Sequence, residues 1–344
     1  MCLRYLDQHF GKGQFMVRRM LIGVLVIAVL VIGLSIITDR RADLREAATE
    51  ARYPPLGELV MVDGRAVHVL VKGEGPDLVV IHGASGNVRD MEAALGDELT
   101  KRYRVFFVDR PGHGWTERLG PEYEKAFTTK AESPAEQAHV LSQAVTQLGA
   151  ENPIVLGHSY GGAVAMAWGL DQPASALVIL AGVTMPWPGE IDITYRVLGS
   201  RLGSAILAPL VSAFLPDSYV ANAANGAFFP QKPPNDYVNR TAAHLALRIE
   251  ALRANNRMVN SLLPNVIEQS QRYEELSLPI ELLHGDADQS VRIEVHSGPL
   301  SEKHSLAKLT VLDGIGHMPH HSAPIEVGRA VDRALKRAEQ GLAD

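Results

Sequence analysis

Five residues, Gly157-His158-Ser159-Tyr160-Gly161, fit the pattern G-x-S-x-G. An apolar run, "PIVL", precedes them and a small-residue helical pattern, "GGAVAMAWG", follows. A serine at such a strand-to-helix turn sits on strained backbone that leaves its hydroxyl exposed. The flanking glycines relieve crowding where the turn brings backbones together. The helix that begins there offers unpaired N–H groups and a positive dipole end, both suited to a developing oxyanion. The pentapeptide alone is a common glycine-rich turn. The strand before it and the helix after it carry the assignment of Ser159 as a nucleophile, with Gly157, His158 and Gly161 supporting it.

A hydroxyl is a poor nucleophile near neutral pH and needs an adjacent base. His317 in "DGIGHMPHH" offers an imidazole, and Asp288 in "HGDADQSV" offers a carboxylate. Each follows an apolar strand pattern, and loops at the carboxyl ends of parallel strands converge on one crevice. The chain order Ser, Asp, His is the one that accompanies this elbow. His317 would take the serine proton, and Asp288 would hold the imidazole tautomer. Asp286 competes for the acid role. Asp288 is preferred because it lies deeper in the loop, although both acids also suit plain turn formation.

"VIHGASGN", residues 80–87, ends another buried strand. The Ala84 N–H is the expected second oxyanion donor beside that of Tyr160, with His82 and Gly83 shaping its loop; the alternative is an ordinary strand-to-helix connection. His158 is adjacent to the nucleophile but should point away from it, into packing. His317, His320 and His321 raise a metal site, but no carboxylate or cysteine nearby is expected to complete it. No metal or cofactor is expected. Trp187, Phe214, Phe228 and Phe229 could line an acyl pocket or simply fill a core.

These loops need a sheet to carry them. "LVMVDGRAVHVLVKG" reads as a hairpin around Asp63-Gly64. "DLVVIHG", "YRVFFVDRPG", "PIVLGHS", "SALVILAG", "LPIELLHG" and "AKLTVLDG" read as buried strands, and helical patterns alternate with them. "SPAEQAHVLSQAVTQLG" opens with a capping box at Ser133 and Glu136 and ends at Gly149. The alternation implies an α/β, doubly wound, mostly parallel sheet, with the hairpin as its antiparallel edge. From residue 184 to 277 the rhythm stops, and a helical cap is expected there. The core is then 56–183 plus 278–340.

"MLIGVLVIAVLVIGLSIIT", Met20–Thr38, is uncharged and long enough to cross roughly 30 Å of hydrocarbon as a helix. It is long for a signal-peptide core and has no A-x-A cleavage site after it. It is too uniformly apolar for the core helix of a soluble protein. A single-pass anchor is expected at 20–38, with a tail at 1–19 and a charged stalk at 39–55. Arginines and lysines lie on both sides in similar number, so the positive-inside rule decides little. An N-terminal anchor behind Arg18-Arg19 favours placing the domain outside the cytoplasm, on the periplasmic side in a bacterium.

A net charge of −6 over 344 residues gives no nucleic-acid footprint. Cys2 is the only cysteine, which rules out an internal disulfide and a cysteine-based metal site. Nothing in the sequence sets an oligomeric state.

Together, "VIHGASGN", "FFVDRPGHGWTER", "PIVLGHSYGG", "HGDADQSV" and "GIGHMPHH" make the chain from about Leu56 to Glu339 resemble the α/β-hydrolase superfamily. The resemblance is to the branch holding esterases, C–C bond hydrolases and cofactor-free haloperoxidases. It implies an eight-stranded sheet with a cap between strands six and seven. It also implies a Ser159–His317–Asp288 triad, an oxyanion hole at Ala84 and Tyr160, and a bracing role for the Asp109–Arg118 loop. Relatives with epoxide-hydrolase or dehalogenase activity carry an aspartate at the elbow; the serine here points instead to an acyl-enzyme. The expected substrate is a small carboxylic ester or related acyl compound. C–C hydrolysis, acyl transfer and perhydrolysis on the same triad remain open, as does a non-catalytic binding protein on this fold.

Overall fold

The β-branched and aromatic runs form eight strands: β1 Glu58–Val62, β2 Arg65–Lys72, β3 Asp77–Ile81, β4 Arg104–Val108, β5 Ile154–His158, β6 Ala176–Leu180, β7 Ile280–Gly285 and β8 Ala307–Leu312. In the computed structural model, which describes residues 2–341 and side chains from residue 16, they make one sheet in the order β1-β2-β4-β3-β5-β6-β7-β8. Residue 1 of the expected N-terminal tail lies outside the described residues. Pairing is antiparallel for β1–β2 and β2–β4 and parallel from β4 onward. Asp63 and Gly64 both take positive φ, as a tight hairpin turn of this twist requires.

Helices α1 Cys2–Arg52, α2 Val88–Leu99, α3 Pro134–Gln147, α4 Tyr160–Asp171, α5 Ile193–Gly199, α6 Ala208–Phe214, α7 Asp217–Phe228, α8 Ile249–Ser270, α9 Ser297–Lys303, α10 Pro319–Ser322 and α11 Pro324–Glu339 complete the frame. Ser133 and Glu136 form the reciprocal capping box that starts α3. The sheet is buried on both faces, which is why its parallel strands read as continuous apolar runs. One face packs under α3 and α4, with Trp168 and Val164 in the core. The other packs under α2 and α11, with Met91, Leu95 and Val331.

Every regular element between β6 and β7 is helical, and these form the cap. The expected anchor and charged helical stalk lie on α1, a single unbroken helix from Cys2 to Arg52. It contains no proline, and no glycine falls between residues 34 and 52, so nothing terminates it between the apolar run and the charged one. Its most apolar window has a mean hydropathy of 3.1 and buries none of its residues against the rest of the chain, unlike a core helix. The charged end packs on the cap instead of standing free.

Candidate active site

Ser159 ends β5 and caps α4 with φ 52° and ψ −116°, a left-handed conformation that costs a non-glycine residue of order 1–3 kcal/mol. The surroundings hold it there. Its N–H donates to Leu180 O, and its carbonyl accepts from Gly162 and Val183. The two elbow glycines are explained by space: a Cβ on Gly157 would lie 2.2 Å from Gly161 O, and one on Gly161 would lie 2.6 Å from both Ile81 O and His82 O.

His317 lies between β8 and α10, and Asp288 follows β7. Ser159 Oγ is 3.0 Å from His317 Nε2, and His317 Nδ1 is 2.7 Å from Asp288 Oδ2. Asp288 is further fixed by the Ser290 and Val291 N–H groups on Oδ1, at 2.8 and 3.0 Å. His284 Nε2 lies 3.3 Å from Oδ2. Burial by itself would raise this carboxyl; hydrogen bonds from His284 and His317 outweigh it and hold Asp288 below the usual carboxylate range. Asp286 is elsewhere, its Oδ1 accepting from Gly314 N–H. All three side chains are buried or nearly so: Ser159, Asp288 and His317 are 8%, 6% and 9% exposed.

The Asp109–Arg118 loop reaches the site through Arg110, which is fully buried. Arg110 Nε donates to His82 O at 3.1 Å, Nη2 to Gly83 O at 2.9 Å, and Nη1 to Gln137. Its guanidinium stacks on the Tyr160 ring at 4.3 Å. Its backbone N–H donates to His82 Nε2, so His82 carries its proton on Nδ1 and donates it to Gly83 O. In a planar trans peptide the C=O and N–H are antiparallel. Three donors, from Arg110, His82 and the Gly86 amide, therefore hold the Gly83 carbonyl and turn the Ala84 N–H away from Arg110. The next amides are engaged, Ser85 N–H with Asn255 Oδ1 at 2.7 Å and Gly86 N–H with Gly83 O. The Tyr160 N–H opens α4 and has no intrahelical acceptor by position.

His158 points away from the nucleophile, and its Nε2–H donates to His317 O at 2.9 Å. Burial, then the rings of His320 and His317, lower its pKa. The metal expectation needs one correction. The sequence singled out no carboxylate to complete a site with the histidines, but the fold delivers one. Asp90, in the first turn of α2, meets His320 and His321, with their ligand-type atoms within 4.8 Å of one another. His321 Nε2 donates to Asp90 Oδ1, which also accepts from the Tyr237 hydroxyl.

Residues that the sequence did not single out enter here. His284 opens the "HGDADQSV" stretch, four residues before Asp288, and that proximity was its only signal. Asn255, Tyr237 and Gln231 come from the cap and carried no local signal. Gln231 spans the His317 loop, donating to Gly314 O and accepting from Gly316 N–H. Of the cap aromatics, Phe228 is buried against Tyr237 and His321, whereas Phe214 and Phe229 are largely exposed. Trp187 packs beside His296.

Residues 78–330 match the model of the alpha/beta hydrolase family. The chain belongs to that family. It is 25% identical over 322 residues to an uncharacterised protein of Mycobacterium tuberculosis, an alignment that covers 88% of this chain and 87% of the other. Two solved structures share the fold. One is a putative aryl esterase from Burkholderia cenocepacia (TM-score 0.62, 19% identity, covering 82% of this chain and 98% of the other). The second is a bacterial membrane phospholipase A (TM-score 0.59, 21% identity, covering 94% and 99%).

Proposed function

We propose that this hydrolase cleaves carboxylic esters through an acyl-enzyme on Ser159. The observation that carries the reading is the unbroken line Asp288–His317–Ser159, whose two hydrogen bonds start from a strained elbow. His317 Nε2 accepts the Ser159 proton as Oγ attacks the ester carbonyl. The oxyanion that forms is met by the N–H groups of Tyr160 and Ala84, the second oriented through Arg110 and His82. The imidazolium, stabilised by Asp288, returns its proton to the leaving alkoxide. Water, deprotonated by His317, then attacks the acyl carbon, and Ser159 leaves with the proton restored to it.

The apolar stretch of α1 is read as a single-pass anchor, with the catalytic domain outside the cytoplasm. The likeness to a membrane phospholipase A supports both the anchor and acyl esters of membrane origin as substrates. That superposition leaves 6% of this chain uncovered (100 − 94), so it reaches well into the 51-residue α1.

The test is covalent labelling. A fluorophosphonate should modify the folded native protein at Ser159 and leave Ser159→Ala unlabelled, and a chain-length series of p-nitrophenyl esters should be turned over only by the labelled form. Absence of an adduct on folded native protein would remove the enzymatic reading in favour of a binding module.

A further inference from the structure

The apolar stretch of α1 ends at Thr38, yet contact with the cap begins at that residue. Thr38 and Ala42 are 4% and 0% exposed, whereas nearly every residue from 16 to 37 is exposed. The partner is α6. Arg41 Nε donates to Ala213 O at 2.8 Å and its guanidinium stacks on Phe214 at 5.2 Å. One turn later, Arg45 donates to Leu215 O and to Asp217. Numbers rise together on both segments, so the cap chain preceding Ala213 leads back toward the apolar stretch. Arg41 lies three residues beyond Thr38, about 4.5 Å along a helix. The cap is therefore fastened within about one helical turn of the point where α1 ceases to be apolar.

What the cap presents there is itself apolar. Ile193, Val197, Leu202, Ile206 and Phe214 are 62%, 43%, 65%, 53% and 44% exposed. They come from α5, the turn at Gly203–Leu207 with the residue just before it, and α6. The segments Ile193–Gly199 and Gly203–Phe214 together are as apolar as a membrane span, but they are bent by 85°. A bent pair of such short helices does not cross a bilayer, which takes about 20 residues of continuous helix. The exposed cations Arg196, which is ion-paired with Glu190, and Arg201 stand among these residues, a charge pattern suited to anionic headgroups. An apolar face rimmed by arginines and lying parallel to an interface is how monotopic segments bind lipid.

We propose that this cap face is seated in the lipid leaflet beside α1, so that the cap rests on the bilayer surface. The inference rests on reading α1 as an anchor. Its occupant is lipid because the face is continuous with the apolar helix to which it is fastened. The consequence for the site is that an ester dissolved in the leaflet meets the cap without first crossing water.

Site-directed fluorescence tests this in full-length protein reconstituted into phosphatidylcholine–phosphatidylglycerol vesicles. In a Cys2→Ser background, a nitrobenzoxadiazole label is placed by Val24→Cys, Leu202→Cys, Ile206→Cys or Phe127→Cys. Quenching by lipids carrying a nitroxide on the acyl chain is then measured. Labels at 24, 202 and 206 should be quenched, and the label at 127, on the exposed catalytic core, should not. Quenching at 24 with none at 202 and 206 overturns the cap contact and leaves the anchor standing. No quenching at 24 overturns the anchor and the cap contact with it. Labels at 202 and 206 shielded from both nitroxide lipid and aqueous iodide would mean that a second copy covers the face, which also overturns the proposal. As a functional arm, Leu202→Asp with Ile206→Asp should lose turnover of vesicle-embedded esters severalfold while keeping the native rate on a soluble p-nitrophenyl ester. Equal rates on both substrates count against the contact.

Discussion

The carboxyl edge of the sheet, where its parallel strands end, and the cap build the candidate site in different ways. The edge supplies the groups proposed to react, from loops that each follow one strand, so every one of them has a local reason for its place. Ser159 is held by the geometry of its own turn, and Asp288 by the amides two and three residues on. The cap supplies no reacting group. It supplies hydrogen bonds to the loops that carry them: Asn255 to the Ala84 loop, Gln231 to the His317 loop, and Tyr237 to the Asp90–His321 pair. The difference teaches that the edge defines the chemistry while the cap decides whether its parts stay in register. Because the cap is also fastened to α1, registration and the proposed membrane attachment share one element.

That division can be broken in order of expected effect. Ser159→Ala should abolish ester turnover, a loss of about 10⁶-fold in kcat if the triad acts as a unit, with the fold retained by circular dichroism. Arg110→Met should lower kcat by about 10²–10³-fold with KM little changed, because the Ala84 amide is no longer aimed. A larger change in KM than in kcat would mean that Arg110 serves binding instead.

Acid should weaken the fold next. Burial lowers His113 to about 3 and His296 and His320 to about 4, below their unfolded value near 6.5. The unfolded chain then binds more protons between these values, so stability is full above about pH 6.5 and falls as pH drops toward 4. At roughly 1.4 kcal/mol per pK unit, the three rings together cost several kcal/mol, visible as a falling denaturant midpoint. A His320→Asn variant should flatten that slope; an unchanged slope would take His320 out of the account.

The smallest effect belongs to the cap. Gln231→Ala removes two hydrogen bonds, each worth about 0.5–1.5 kcal/mol, and should lower kcat about tenfold or less. Its diagnostic is a shift in the pH–rate profile without loss of fluorophosphonate labelling, since the His317 loop loosens while Ser159 stays in place. A Gln231 variant as inactive as Ser159→Ala would erase the distinction between edge and cap.

Much of the fold was legible. The Asp63-Gly64 turn, the Ser133–Glu136 capping box and the apolar strands are local patterns, and local backbone preferences realise them. The cap's arrangement was not, because helices of mixed composition pack by surface shape and their partners are distant in sequence. The same holds for the unbroken α1. Its charged half reads only as a stalk, and nothing local shows that Arg41, Arg45 and Glu46 find acceptors and donors on α6 and its flanks more than 160 residues away.

By itself the sequence determined the alternation of strands and helices, the elbow at Ser159, the loops that would bear Asp288 and His317, and the single apolar helix at the start. Each is written in a short window where period, turn chemistry and residue type agree. Only the tertiary structure decided that Asp288 and not Asp286 faces His317, that Arg110 turns the Gly83–Ala84 peptide, that Asp90 joins His320 and His321, and that the cap is tied to α1. Those outcomes depend on contacts between distant segments, and a buried polar group is placed by the one partner that satisfies it in three dimensions.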